Sequence, residues 1–86
     1  MIYKVSPNPS RNKVTIQYGV FNKAKVNVLV YDVKGMLVAN LEEKTLEAEK
    51  YEAEWLPTPE LPNGHYFIAL KINEIQVHYQ KVILQR

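Results

Sequence analysis

The sequence has no cysteine, three glycines, one tryptophan and two histidines in 86 residues. Without cysteine there is no disulfide scaffold and no cysteine-based zinc or redox site. No glycine-rich stretch is available to cradle a phosphate. No apolar run approaches the ~18–20 residues that a membrane helix needs. The opening residues, Met1 followed by IYKVSPNPS, lack the charged start and apolar core of a signal peptide. Net charge is small as well, with 11 Lys and Arg against 9 Asp and Glu. No basic stripe interleaved with stacking aromatics exists, so a nucleic-acid partner is not expected. A chain of this length makes one small domain, residues 1–86. It buries only about 60–65% of its unfolded surface and leaves little room for a lid or a deep pocket. An apolar content of 47% nevertheless excludes wholesale disorder.

The charge is unevenly spread. Residues 1–40 carry six basic side chains and one acidic, residues 41–60 seven acidic and two basic, and residues 61–86 three basic and one acidic. The acidic middle reads first as a solvated loop or edge strand, and second as a patch for a basic partner.

Short alternating segments recur about every ten residues, which is an all-β pattern. Ile2–Ser6 is a short strand, broken by Pro7-Asn8-Pro9-Ser10 because proline fixes φ and removes a donor. Lys13–Tyr18 places Val14, Ile16 and Tyr18 on one face. Gly19 and Phe21-Asn22-Lys23 form the next connection. Lys25–Asp32 places Val26, Val28 and Val30 together, with Leu29 and Tyr31 on the other face. Asp32-Val33-Lys34-Gly35 has the form of a type I turn whose aspartate accepts from the turn's own N–H groups. Met36–Leu41 returns from it.

The segment Leu41–Glu54 is ambiguous. Its composition is helical, and Asn40 with Glu43 has capping-box spacing. Yet Tyr51, Ala53 and Trp55 alternate. A strand over Lys50–Trp55 is favoured, and a helical turn within Glu42–Glu47 stays open. Pro57, Pro59 and Pro62 force an irregular crossing loop. His65–Ile72 and Ile75–Leu84 flank Asn73-Glu74, a two-residue hairpin turn. That register pairs Ile72 with Ile75, Leu70 with Val77, Ile68 with Tyr79 and Tyr66 with Lys81 on an apolar core face. Lys71 then pairs with Gln76, Ala69 with His78, Phe67 with Gln80 and His65 with Val82 outside.

Catalytic constellations are missing. In this register His65 and His78 share the outer face four steps apart, roughly 13 Å, which is too far for one metal. Asp32 is the sole aspartate and the turn accounts for it. Ser6 and Ser10 have no nearby base. Nothing sets two glutamates across a cleft. Among the aromatics, Tyr18, Tyr66 and Tyr79 fall on core faces, Trp55 reads as core under the proline loop, and Phe67 points outward. No enzyme, cofactor or metal site is expected.

Three segments in combination resemble a known family. They are Pro7-Asn8-Pro9; Val26-x-Val28-x-Val30-Tyr31-Asp32-x-x-Gly35; and Leu61-Pro62-Asn63-Gly64-His65-Tyr66-Phe67, followed by Lys81-Val82-Ile83-Leu84. Their order and spacing resemble the type A C-terminal sorting domain of the bacterial type IX secretion system. The framework is also similar to the Ig-like domain of flagellar hook-capping proteins. Two positions depart from the family pattern: Ser6 stands where an aromatic is usual, and Glu49-Lys50 where a glycine is usual. The resemblance implies an Ig-like antiparallel β-sandwich of about seven strands. It implies a non-catalytic export signal that ends a larger secreted protein, this chain being an excised fragment with an introduced Met1. The implied partners are an upstream cargo domain, the outer-membrane secretion machinery and a processing peptidase, with the chain not embedded in a membrane. The implied location runs from the periplasm to the outer-membrane surface or the extracellular space. The signature residues are Pro7, Asn8, Pro9, Tyr31, Asp32, Gly35, Leu61, Pro62, Gly64, Tyr66 and Lys81. The expected receptor contacts are Lys81, Val82, Leu84 and Arg86, with Val82 and Leu84 as an outward apolar strip and the last strand's edge open to strand addition. The competing expectation is a carbohydrate-binding or structural Ig-like accessory module of a secreted enzyme.

Overall fold

Residues that alternate apolar and polar along the chain form seven strands. They are β1 (Ile2–Ser6), β2 (Val14–Val20), β3 (Ala24–Tyr31), β4 (Leu37–Leu46), β5 (Glu49–Trp55), β6 (Gly64–Ile72) and β7 (Ile75–Leu84). The structure, a computed structural model, describes all residues from Met1 to Arg86. A three-stranded sheet in the order β1-β2-β5 faces a four-stranded sheet in the order β4-β3-β6-β7, and every strand pairing is antiparallel. This is the two-sheet arrangement of an Ig-like sandwich.

The core lies between the sheets. Val14, Ile16, Tyr18 and Val20 enter it from β2, Val26, Val28 and Val30 from β3, and Tyr66, Ile68 and Leu70 from β6. Each such side chain contributes roughly 1.5–3 kcal/mol by leaving water. Tyr18 is enclosed and stacks on Tyr51 with ring centroids 5.8 Å apart. Burial, then the charges of Glu42 and Tyr51, push its hydroxyl up to about 12 from an ordinary 10. The fold therefore favours the protonated phenol. This contribution is complete below pH 10 and is lost as pH rises through 12. Wild type should therefore lose stability across that window. Tyr18→Phe removes a hydroxyl with no hydrogen bond in the chain and should lose visibly less in alkaline denaturation.

The Asp32 turn has the expected chemistry. Asp32 Oδ1 accepts from the N–H groups of Lys34 and Met36, both at 2.9 Å, and the Gly35 N–H donates to the Asp32 carbonyl at 3.1 Å. Gly35 has φ +83°, the left-handed position that follows a type I turn in a three-residue hairpin loop.

One open alternative closes and two expectations fail, each for an identifiable reason. No helical turn occurs within Glu42–Glu47. β4 runs on to Leu46 because Ala24–Val28 pair with it residue by residue and bury Leu46. Tertiary pairing thus overrides local propensity, and the Asn40 amide donates to the Glu43 carboxylate at 2.7 Å instead of capping a helix. Gly19 lies inside β2, not in a connection. A Cβ there would collide with the Tyr3 hydroxyl, so glycine admits the Tyr3 ring, over which Lys50 Nζ lies at 5.5 Å from the centroid.

The second failed expectation is the β6–β7 register. Ile72 pairs with Ile75 and Lys71 with Gln76, but a bulge then skips Val77, so that Leu70 pairs with His78, Ala69 with Tyr79, Phe67 with Lys81 and Tyr66 with Val82. An extra residue reverses every face beyond it. Tyr79 therefore lies outside, 48% exposed, and stacks on Phe67 at 5.1 Å and 11°. Val82 and Leu84 lie inside, fully buried. His78 turns to the edge, where its Nδ1 accepts the Ile2 N–H at 2.9 Å, while exposed His65 lies on the opposite face of the sheet.

Candidate functional site

The molecule measures 37 × 22 × 16 Å, and its two ends differ. One end carries Met1, the β2–β3 loop and the Asn73-Glu74 turn. The other carries the β1–β2, β3–β4 and β5–β6 connections together with Arg86. Every loop of the sequence signature lies at this second end. Pro7, Asn8 and Pro9 come from the β1–β2 loop, Tyr31, Asp32 and Gly35 from the β3–β4 turn, and Leu61, Pro62, Gly64 and Tyr66 from the approach to β6. Lys81 is exposed on β7, paired in register with Phe67.

Hydrogen bonds tie two of these loops, the β1–β2 loop and the approach to β6, to the last residues. Asn8 Oδ1 accepts the Ile83 N–H at 3.0 Å. The Ser10 N–H donates to the Ile83 carbonyl at 2.8 Å, and the Gln85 N–H donates to the Ser10 carbonyl at 2.7 Å, a short parallel bridge. From the other side, the Asn63 amide donates to the Arg86 carbonyl at 3.1 Å and accepts the Arg86 N–H at 3.0 Å. The Arg86 guanidinium donates to the Leu61 carbonyl. Tyr66, third residue of β6, donates its hydroxyl to the Pro62 carbonyl at 2.6 Å, the form of a tyrosine corner. Trp55 packs on Tyr66 with centroids 5.2 Å apart, 2% exposed, and so serves as core, not as a sugar-stacking platform.

The electrostatics record the same convergence. Burial and the nearby Asp32 carboxylate push the Tyr66 phenol up, while Arg86 pulls it down. Glu60 is held below the usual carboxylate range by hydrogen bonds from its own N–H and from Thr58, with a further contribution from Arg86. A shallow cleft of about 320 Å³ lies between the Asp32–Lys34 turn and Leu61–Tyr66. It brings together no nucleophile and base of the kind acyl transfer needs.

The expected contact residues divide. Lys81 and Arg86 are exposed. Val82 and Leu84 are core, because the Val77 bulge turned them inward, so they form no outward strip. Nor is the β7 edge open along its length. Ile2 meets the His78 side chain, and Asn8 and Ser10 meet the backbone at Ile83, leaving Tyr79–Val82 between them. Four residues make a short edge for strand addition, and partial covering of this kind is one way natural sheets protect an edge. Ser10 and Asn63 were not anticipated as clamps. Their signal was present, since both stand in turn segments where short polar side chains bond to backbone.

Three of the seven acidic side chains of the middle segment form ion pairs. Lys13 pairs with Glu54 at 3.3 Å, Lys23 with Glu47 at 3.5 Å and Lys44 with Glu42 at 3.9 Å. These charges line the outer edges of β4 and β5, where charge blunts pairing with other chains.

The family model of the secretion system C-terminal sorting domain matches residues 4–85, nearly the whole chain. No curated protein and no solved structure matches it significantly. A clamped C-terminal strand, three signature loops at one end and a family match over nearly the whole chain agree, and the chain belongs to the C-terminal sorting domain family, the non-catalytic signal for type IX secretion.

Proposed function

We propose that the end of the sandwich holding Arg86 is the face read by the outer-membrane secretion machinery. The observation that carries this reading is the convergence there of three signature loops on a chain end held by Asn8, Ser10 and Asn63. A rigid end costs a receptor little ordering entropy on binding. Lys81 and Arg86 supply exposed positive charge, which governs encounter and orientation more than core affinity. In this reading residues 1–86 act as one appended module, the cargo enters at the opposite end, and a processing peptidase separates the two. The module travels from the periplasm to the cell surface or the medium.

The test is capture of the purified chain by solubilised outer-membrane secretion machinery. A double variant, Lys81→Glu with Arg86→Glu, should bind at least about tenfold more weakly, a loss of about 1.4 kcal/mol. Lys81→Glu alone should melt within a few degrees of wild type, because an exposed charge contributes little to stability, whereas Arg86→Glu also gives up the guanidinium bond to the Leu61 carbonyl and should melt lower. Unchanged binding by the double variant would place the recognition face elsewhere.

A further inference from the structure

The two layers of the sandwich do not match in length. β7 has ten residues, whereas β1, which lies over it along one side, has five and starts at Ile2. At the Met1 end, apolar residues of the four-stranded sheet consequently have nothing above them. Ile72, partly buried against the core, shares a face with its partner Ile75, and Ile75 is 67% exposed. The bulged Val77 is 53% exposed. Ile72 and Val77, together with Val20, Phe21 and Ala24, line an apolar groove of about 350 Å³ that Met1 also borders. Phe21, at the tip of β2, is 72% exposed. Its floor is held in place, since the Asn73 N–H donates to the Lys25 carbonyl at 2.8 Å and the Lys25 N–H donates to Asn73 Oδ1 at 3.0 Å.

The pairing of β1 with β2 shows what would cover this groove. Met1 and Gly19 exchange both backbone bonds, each at 2.7 Å, so the ladder is intact up to Met1. A residue immediately before Met1 would stand opposite Val20, on the same face as Ile2, and would aim its side chain into the groove. The residue before that would stand opposite Phe21. By the two-residue period of the strand, Phe21 turns its N–H and carbonyl toward that edge, and neither has a partner in the chain.

We propose that the segment joining this domain to its cargo continues β1 past Met1 along β2 and closes the groove with an apolar side chain. The proposal rests on the sorting reading, which supplies a cargo upstream. Its consequence is a stiff join. The cargo is held in a set orientation at one end while the recognition face stays free at the other, about 37 Å away along the long axis.

The test compares the 86-residue chain with two versions carrying two added residues before Met1, Thr-Val and Thr-Asp. Thr-Val should raise the melting temperature by about 5 °C, the scale expected for a domain of this size. It should also slow hydrogen exchange of the Phe21 N–H about tenfold, as a newly formed ladder bond does. Thr-Asp should give no rise, and Val77→Ser should reduce the gain from Thr-Val. Equal melting of the two extended chains, with Phe21 exchange unchanged, would overturn the proposal. Neither readout involves export, so this failure is distinct from a failure of the sorting reading.

Discussion

Trp55→Ala should destabilise the domain by about 3–5 kcal/mol, the range for removing a large enclosed aromatic. Trp55 ends β5, lies opposite Val14 in the β2–β5 ladder and packs on Tyr66. Tyr66 in turn holds the Pro62 carbonyl, so the cavity would open beneath the loop that clamps Arg86. Small domains sit at the low end of the 5–15 kcal/mol range of folding stability. The variant should therefore be substantially unfolded at 37 °C and should fail in recognition without any contact residue being altered. Chemical denaturation followed by circular dichroism measures this. A loss under 1 kcal/mol would show that the ring is not enclosed.

Removal of Ile83–Arg86 should have an effect of the same order. Leu84 is fully buried, and truncating a leucine of this kind alone costs about 2–5 kcal/mol. The deletion also releases Asn8, Ser10 and Asn63 from their partners on the last strand. Each lost bond adds about 0.5–1.5 kcal/mol where the partner group stays shielded from water. Ser10 is 1% exposed and its hydroxyl already lacks a partner, so its backbone groups are the ones that suffer. Leu84→Ala in the full chain is the informative comparison. The truncated chain should be less stable than Leu84→Ala, and its Pro7–Ser10 loop should become sensitive to limited proteolysis. Equal stability of the two would mean that the clamps contribute nothing.

Much of this fold is legible in the residues. Val26, Val28 and Val30 alternate because β3 is central to its sheet, and Asp32 with Gly35 announces its own turn. The all-β reading and the family resemblance both stand. What failed was non-local. Nothing in Gln76-Val77-His78 marks which residue will bulge, and the bulge shows only in the pairing of β7 with β6. That one residue exchanges Tyr79 for Val82 in the core and turns the supposed contact strip of Val82 and Leu84 inward. The Glu42–Glu47 stretch misled in the opposite way. Its helix-forming side chains are surface charges on an edge strand, and only pairing with Ala24–Val28 reveals the state. The candidate site was legible as pieces, but not as a place. Asn8, Asp32 and Leu61 are spread over more than fifty residues of sequence, and the sandwich topology is what brings them to one end beside Arg86.

The most direct measurement of the central claim is export of a reporter. A periplasm-directed fluorescent protein fused ahead of this chain, expressed in a bacterium with an active type IX system, should appear at the cell surface or in the medium. The same fusion carrying Trp55→Ala should stay in the periplasm. Retention of the wild-type fusion in the periplasm, with the domain folded, would contradict the account.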